Sequence, residues 1–214
     1  MYNTVSVAAV ISYFLPLLLV LLKRLWNDRF FMLFAVYWTM GGLINIMDFI
    51  PNLPQAVNYT ISVIYNILDV PLILTILYFT TSSIIVRRFT SFAIVTAVAT
   101  EIIGIIMNGV TYDALKYSLG LGIALVLVIV IWEIVRYLQK VEHSNRQNAK
   151  IFIYAALLFE YATFILIYIF DYFVDSSDRT DNFLIYYISS LVALFIASCG
   201  FLLFKKYEKN SVSY

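Results

Sequence analysis

Seven apolar runs follow one another along the chain, at about residues 4–22, 30–50, 60–81, 89–109, 117–138, 150–173 and 182–204. Each has the roughly 20 residues that an α-helix needs to cross about 30 Å of hydrocarbon. Inside hydrocarbon every backbone N–H and C=O must find its partner within the protein, so only helices and closed barrels span. The runs are continuous rather than alternating apolar and polar, which excludes barrel strands. Composition agrees: 63% of the 214 residues are hydrophobic and 13% are charged, with a mean hydropathy of +0.90, far from soluble averages. The expected fold is an all-α integral membrane protein, one seven-transmembrane-helix bundle over residues 1–214.

Basic residues predict the orientation, because cytoplasmic loops retain positive charge. Lys23, Arg24 and Arg29 fill the first loop, and Arg87 and Arg88 the third. Arg136, Lys140, Arg146 and Lys150 fill the fifth, and Lys205, Lys206 and Lys209 the tail. The even-numbered loops hold only Lys116 and Arg179, the latter in the acidic stretch DSSDRTD. The N-terminus is therefore expected outside and the C-terminus in the cytoplasm. An uncharged leader followed by KRLWNDR, with no small-residue cleavage pattern, predicts a retained first span rather than a signal peptide.

Every connection is short, so chemistry is expected within the bilayer or through a partner. A net charge of +1 argues against nucleic acid, which requires a basic face. Cys199 is the only cysteine, which rules out a disulfide framework and a thiolate metal cluster and leaves a small packing residue. His143 is the only histidine and is expected to be solvated beside Glu142 in the fifth loop. Histidine-rich zinc sites, and the usual base for a serine or cysteine nucleophile, are thereby excluded.

What remains is acid, amide and phenol within the spans. Asp69 and Glu160 fall near the span midpoints, with Glu101 within about one turn. A charged carboxylate there costs between a few and more than ten kcal/mol, so such residues face the bundle interior and mark a functional site. Helical spacing extends the set. Trp38, Gly41, Asn45 and Asp48 share one face of the second span, and Tyr65, Asn66 and Asp69 one face of the third. Glu101 aligns with Asn108 in the fourth span, and Tyr161 adjoins Glu160 in the sixth. Tyr186, Tyr187, Ser189 and Ser190 lie toward the outer end of the seventh. The expected ligand- or ion-binding set is Asp69, Glu101, Glu160, Asn66, Asn45, Asp48, Tyr65, Asn108, Tyr161 and Tyr186, around an acidic cavity open to the outer side.

Blander roles stand beside these. Asp48 fits an interfacial acid, and Asn45, Asn66 and Asn108 fit interhelical hydrogen-bonding groups. Glu133 with Arg136 one turn later reads as a local ion pair, and Ser189, Ala193 and Ala197 as a packing stripe. Pro71 removes one helical hydrogen bond and frees the carbonyl of Ile67, which predicts a kink near Asp69.

Seven spans, an outer N-terminus and short loops resemble the layout of microbial retinal proteins, and Asp69 near the Pro71–Leu72 pair is similar to their third helix. That family's proline follows its acid at longer spacing, and the seventh span, FLIYYISSLVALFIASCGFLLF, has no lysine to form a Schiff base. No retinal and no other cofactor is expected. The general look is also similar to that of short seven-helix proteins of the bacterial cytoplasmic membrane, the expected location.

Three classes of function fit. The first is a sensor or carrier in which the acids hold a proton, a cation or a small polar or cationic ligand. The second is an intramembrane enzyme on lipid that uses two carboxylates as acid and base. The third is a structural subunit whose polar groups contact a membrane partner protein.

Overall fold

The computed structural model describes residues 2–173 and 179–204, and all regular structure among them is helical. Seven of the helical segments are long and apolar enough to cross a membrane, so the chain is an integral membrane protein. The first span is two helices, α1 (Tyr2–Ser12) and α2 (Leu15–Leu22). The others are α3 (Arg29–Ile46), α4 (Gln55–Thr80), α5 (Ile84–Asn108), α6 (Tyr112–Leu138), α7 (Asn145–Phe173) and α8 (Arg179–Leu203). The basic tail with Lys205, Lys206 and Lys209, and most of the acidic DSSDRTD stretch with the Arg179 side chain, lie outside the described residues.

The break in the first span corrects the expectation of one continuous helix over residues 4–22. Pro16 is its cause: the ring has no N–H to donate and collides with the carbonyl four residues earlier. The chain turns at Tyr13 and Phe14, and Pro16 enters the first turn of α2, where its lost donor has no consequence. Pro71, by contrast, lies inside α4, and that helix runs unbroken from Gln55 to Thr80.

α4, α5, α6 and α7 begin at residues 55, 84, 112 and 145, ahead of apolar runs that begin near 60, 89, 117 and 150. Hydropathy registers the hydrocarbon slab, whereas capping sets the helix end. Ser83 accepts from the Val86 N–H and Thr111 from the Ala114 N–H. Asp28 does the same at α3 through the Phe30 N–H.

Sequential spans are neighbours, and the first packs against both α3 and α8, which closes the ring. α5 lies on α4 and α6, which also touch each other. Directions alternate: Tyr187 reaches from the start of α8 to Asp48, just past the end of α3. At the opposite end Asp28, before α3, meets Arg146 in the first turn of α7.

That opposite end is apolar and aromatic inside. Phe30, Phe31, Phe34, Leu74, Leu77 and Phe201 are fully buried, with ring centroids 4.8 Å apart for Phe30 and Phe34 and 5.5 Å for Phe31 and Phe201. Its rim is tied electrostatically. Arg146 donates twice to Asp28 at 2.9 Å. Lys23 donates to the carbonyls of Phe201 (3.1 Å) and Phe204 (2.7 Å), capping the C-terminus of α8, where a cation is favoured by the helix dipole. Lys150 sits 4.4 Å above the Phe30 ring. Glu133 and Arg136 form the expected local pair at 3.4 Å, and Glu133 also accepts from Thr81. His143 departs from its expected solvation. It is half-buried and stacks on Tyr137 at 3.8 Å between centroids, because the turn after α6 folds it back over that ring.

The end at which α1 begins is packed through small residues. A Cβ on Gly104 would meet the Ala114 carbonyl oxygen at 2.2 Å, and one on Gly122 would meet Val70 at 2.6 Å. The stripe of Ser189, Ala193 and Ala197 is buried along α8, and its last member reaches the aromatic half, one turn before Phe201.

Candidate functional site

Two dipeptides face each other across the middle of the bundle, Tyr37–Trp38 on α3 and Glu160–Tyr161 on α7. Trp38 Nε1 donates to Glu160 Oε2 at 3.1 Å, and the hydroxyls of Tyr37 and Tyr161 lie 2.8 Å apart. Asp69, from α4, closes a triangle beneath the two phenols. The Tyr37 hydroxyl donates to Asp69 Oδ1 at 3.0 Å and the Tyr161 hydroxyl to Oδ2 at 3.1 Å. Tyr65, one turn earlier on α4, lies close enough to interact electrostatically with the same carboxyl. Asp69 is 8% exposed and Glu160 2%. The two acids interact electrostatically, but no hydrogen bond joins them, and no lysine, arginine or histidine among the described residues pairs with either.

Counting protons in the triangle constrains what it can hold. It has three oxygen–oxygen contacts, and its two tyrosines supply two hydroxyl protons. With a carboxylate, both phenols donate to Asp69 and their own oxygens face each other without a proton between them. With a neutral carboxyl a third proton is present, and all three contacts close in one cycle.

A second cluster lies on the α1-start side. Tyr13, at the break in the first span, donates to Ser190 Oγ at 2.8 Å and lies 3.0 Å from the Tyr186 hydroxyl. Asn45 Nδ2 donates to the Tyr186 hydroxyl at 3.2 Å. Phe164 stacks on Tyr186 with centroids 5.5 Å apart. Gly41 permits this approach, since a Cβ there would lie 3.0 Å from the Tyr65 hydroxyl and 3.2 Å from the Tyr13 ring.

The structure therefore brings together Asp69, Glu160, Tyr65, Tyr161, Tyr186 and Asn45. It does not bring in the rest of the expected set. Glu101 is 5% exposed and faces α4 closely enough to interact electrostatically with Asp69, but it joins no hydrogen bond of the cluster. It sits five residues beyond the middle of α5 (Ile84–Asn108), about 7.5 Å along the helix axis. Asn66 is half-buried and donates to the Ser62 carbonyl of its own helix at 2.9 Å. Asp48 is exposed in the short turn after α3, where it accepts from Asn58 at 2.9 Å and Tyr187 at 3.4 Å. Asn108 is exposed at the last turn of α5. The last two miss because a stripe on a helix face continues past the hydrocarbon, and its outer members end in the boundary.

Tyr13, Tyr37, Trp38 and Ser190 belong to the cluster but not to the expected set. Tyrosine and tryptophan concentrate where membrane meets water. Tyr13 and Tyr37 lie well inside their spans, and that misplaced depth was the available signal. No group of three or more histidine, cysteine, aspartate or glutamate side chains able to hold a metal ion occurs among the described residues. Comparison with known proteins finds no matching family model, no similar curated protein and no similar solved structure.

Proposed function

We propose that the protein binds and relays a proton within the membrane, with Asp69 as the acceptor, as a proton sensor or carrier. The supporting observation is the Asp69–Tyr37–Tyr161 triangle, whose contacts close only when a third proton is present. The two phenols close on both Asp69 oxygens at 3.0 and 3.1 Å, so a proton is the cation the triangle admits without displacing them. Larger cations or polar ligands require the phenols to move apart. Glu160 stands beside the triangle as a second acid, held by Trp38. Paired acid–base catalysis on lipid is less favoured, since it needs the two carboxyls within shared hydrogen-bond reach. The positive-inside pattern orients the end where α1 begins, and with it the polar half of the bundle, toward the outside.

Infrared difference spectra of the protein in lipid vesicles, recorded between neutral and acidic buffer, test this reading. A protonated-carboxyl C=O band is expected to grow on acidification in wild type and in Glu160→Gln, and to vanish in Asp69→Asn. A band that persists unchanged in Asp69→Asn rejects Asp69 as the acceptor.

A further inference from the structure

We infer that Asp69 exchanges its proton with the α1-start side of the membrane alone, so that the site senses that side and does not carry protons across. This rests on the proton-binding reading above and adds its sidedness.

An aromatic column seals the other side, and it begins directly at the site. The Trp38 indole donates to Glu160, while its ring packs on Phe34 and Phe201 with centroids 5.9 and 6.4 Å away. Phe34 continues to Phe30 at 4.8 Å. All four rings are 2% exposed or less. On α3 residues 30–36 are apolar without interruption, about 10 Å of helix. Ile73, one turn past Asp69, and Leu157, one turn before Tyr161, are fully buried as well.

The polar side chains on that side do not bridge the column. Thr75 and Thr80 donate to carbonyls of their own helix, each at 2.7 Å. Tyr154 lies seven residues before Tyr161, about 10 Å along α7, with its ring edge-on to Phe30 at 5.7 Å. The Ser198 hydroxyl has no partner. A proton hop needs donor and acceptor within about 3 Å, or one water between them. The hydrogen bonds of Asp69 and Glu160 run to Tyr37, Tyr161 and Trp38, and none leads on toward the aromatic end.

The α1-start side is built differently. Of the titratable groups that face Asp69, Tyr37 from α3 and Glu160 and Tyr161 from α7 stand at its own level. Tyr65 on its own helix, Glu101 from α5 and Tyr186 from α8 all lie beyond it toward that end. From α6 the neighbour is Gly122, against Val70. Along α3, Asn45 lies two turns past Tyr37 and donates to Tyr186, and Asp48, just past the helix, is exposed. Charging balances on this face: a hydronium ion gives up one proton and becomes water, and one carboxyl O–H forms on Asp69. Discharge returns the proton to the same face.

The test uses the full chain in vesicles that carry it in one orientation, checked by protease access to a C-terminal tag. One face is acidified while the other is clamped at neutral pH, and the Asp69 carboxyl band is followed by infrared. Acidifying the α1-start face is expected to raise the band to full amplitude, and acidifying the opposite face to raise it at least about a hundredfold more slowly, the effect of losing one positioned proton-transfer step. A pH-sensitive dye inside the vesicles is expected to record no proton flux above that of protein-free vesicles. Phe34→Ser, which puts a hydroxyl into the column, is expected to let the opposite face respond. A wild-type band that rises as fast from the opposite face overturns the sidedness and leaves the acceptor standing. Unchanged sidedness in folded Phe34→Ser overturns the column as the barrier, and if that variant does not fold the two-face comparison on wild type decides. A band raised from neither face overturns the acceptor itself.

Discussion

The two halves of the bundle bury polar groups in opposite ways. Toward the end where α1 begins, hydroxyls and amides reach across helices: Tyr13 to Ser190, Asn45 to Tyr186, Tyr37 and Tyr161 to Asp69. Toward the other end, the buried Thr80 and Thr90 turn back on their own helix, to the Ile76 and Val86 carbonyls, and Thr81 reaches across, to Glu133. Phe30, Phe31, Phe34 and Phe201 are buried in the interior of that half. A helix always offers its own carbonyl four residues back, so the second arrangement needs no neighbour. The first needs several helices at fixed distance and register. Interhelical bonds in membranes average only about 0.6 kcal/mol, which is too little to justify so much buried polarity on stability alone. The proton site proposed above lies in the polar half, and the aromatic half is close-packed around its buried rings.

Truncation in the sealed half gives the largest expected effect. Phe34→Ala leaves a cavity where a fully buried ring stood and is expected to destabilise by about 3–5 kcal/mol, read as a lower thermal midpoint in detergent. The acidification-dependent carboxyl band should survive in the fraction that remains folded. Next comes Asp69→Leu, which leaves the Tyr37 and Tyr161 hydroxyls with only each other and is expected to lower stability by about 1–3 kcal/mol, the penalty of an unsatisfied buried group. Asp69→Asn keeps an acceptor and should fall within about 1 kcal/mol of wild type. If Asp69→Leu proved as damaging as Phe34→Ala, the polar half would carry the fold equally and the contrast would fail. The smallest effect belongs to the rim. The Arg146 side chain is 49% exposed, so Arg146→Gln is expected to change stability by about 1 kcal/mol or less, and added salt should shrink the difference. A larger, salt-independent loss would mean that the Asp28 pair closes the sealed half rather than trimming it.

How much of this was legible in the chain follows from the range of each signal. Hydropathy sums over some 20 residues, so seven spans emerged despite the break at Tyr13 and Phe14, which comes from the single residue Pro16. Asp69 and Glu160 stood out because a carboxyl deep in an apolar run is rare. Tyr37 and Tyr13 did not stand out, because their hydrogen bonds run to residues 32 and 177 positions away. Glu101 carried the same sequence signal as Asp69 yet joins no hydrogen bond of the cluster, since α5 lies on the outside of the α4–α6 pair.

The sequence by itself determined that the chain must live in a bilayer as helices, and which residues violate hydrocarbon by being polar within it. Backbone polarity leaves no other way to cross, and each offending residue is offending wherever its helix goes. Only the tertiary structure decided which of those residues meet. Asp69 finds two phenols because α3 and α7 approach across the bundle with Tyr37 opposite Tyr161. Tyr65 lies close against α3 because residue 41 is a glycine. Both depend on the rotation and register of packed helices, which are set by side-chain contacts between distant segments and leave no trace in the periodicity of any one of them.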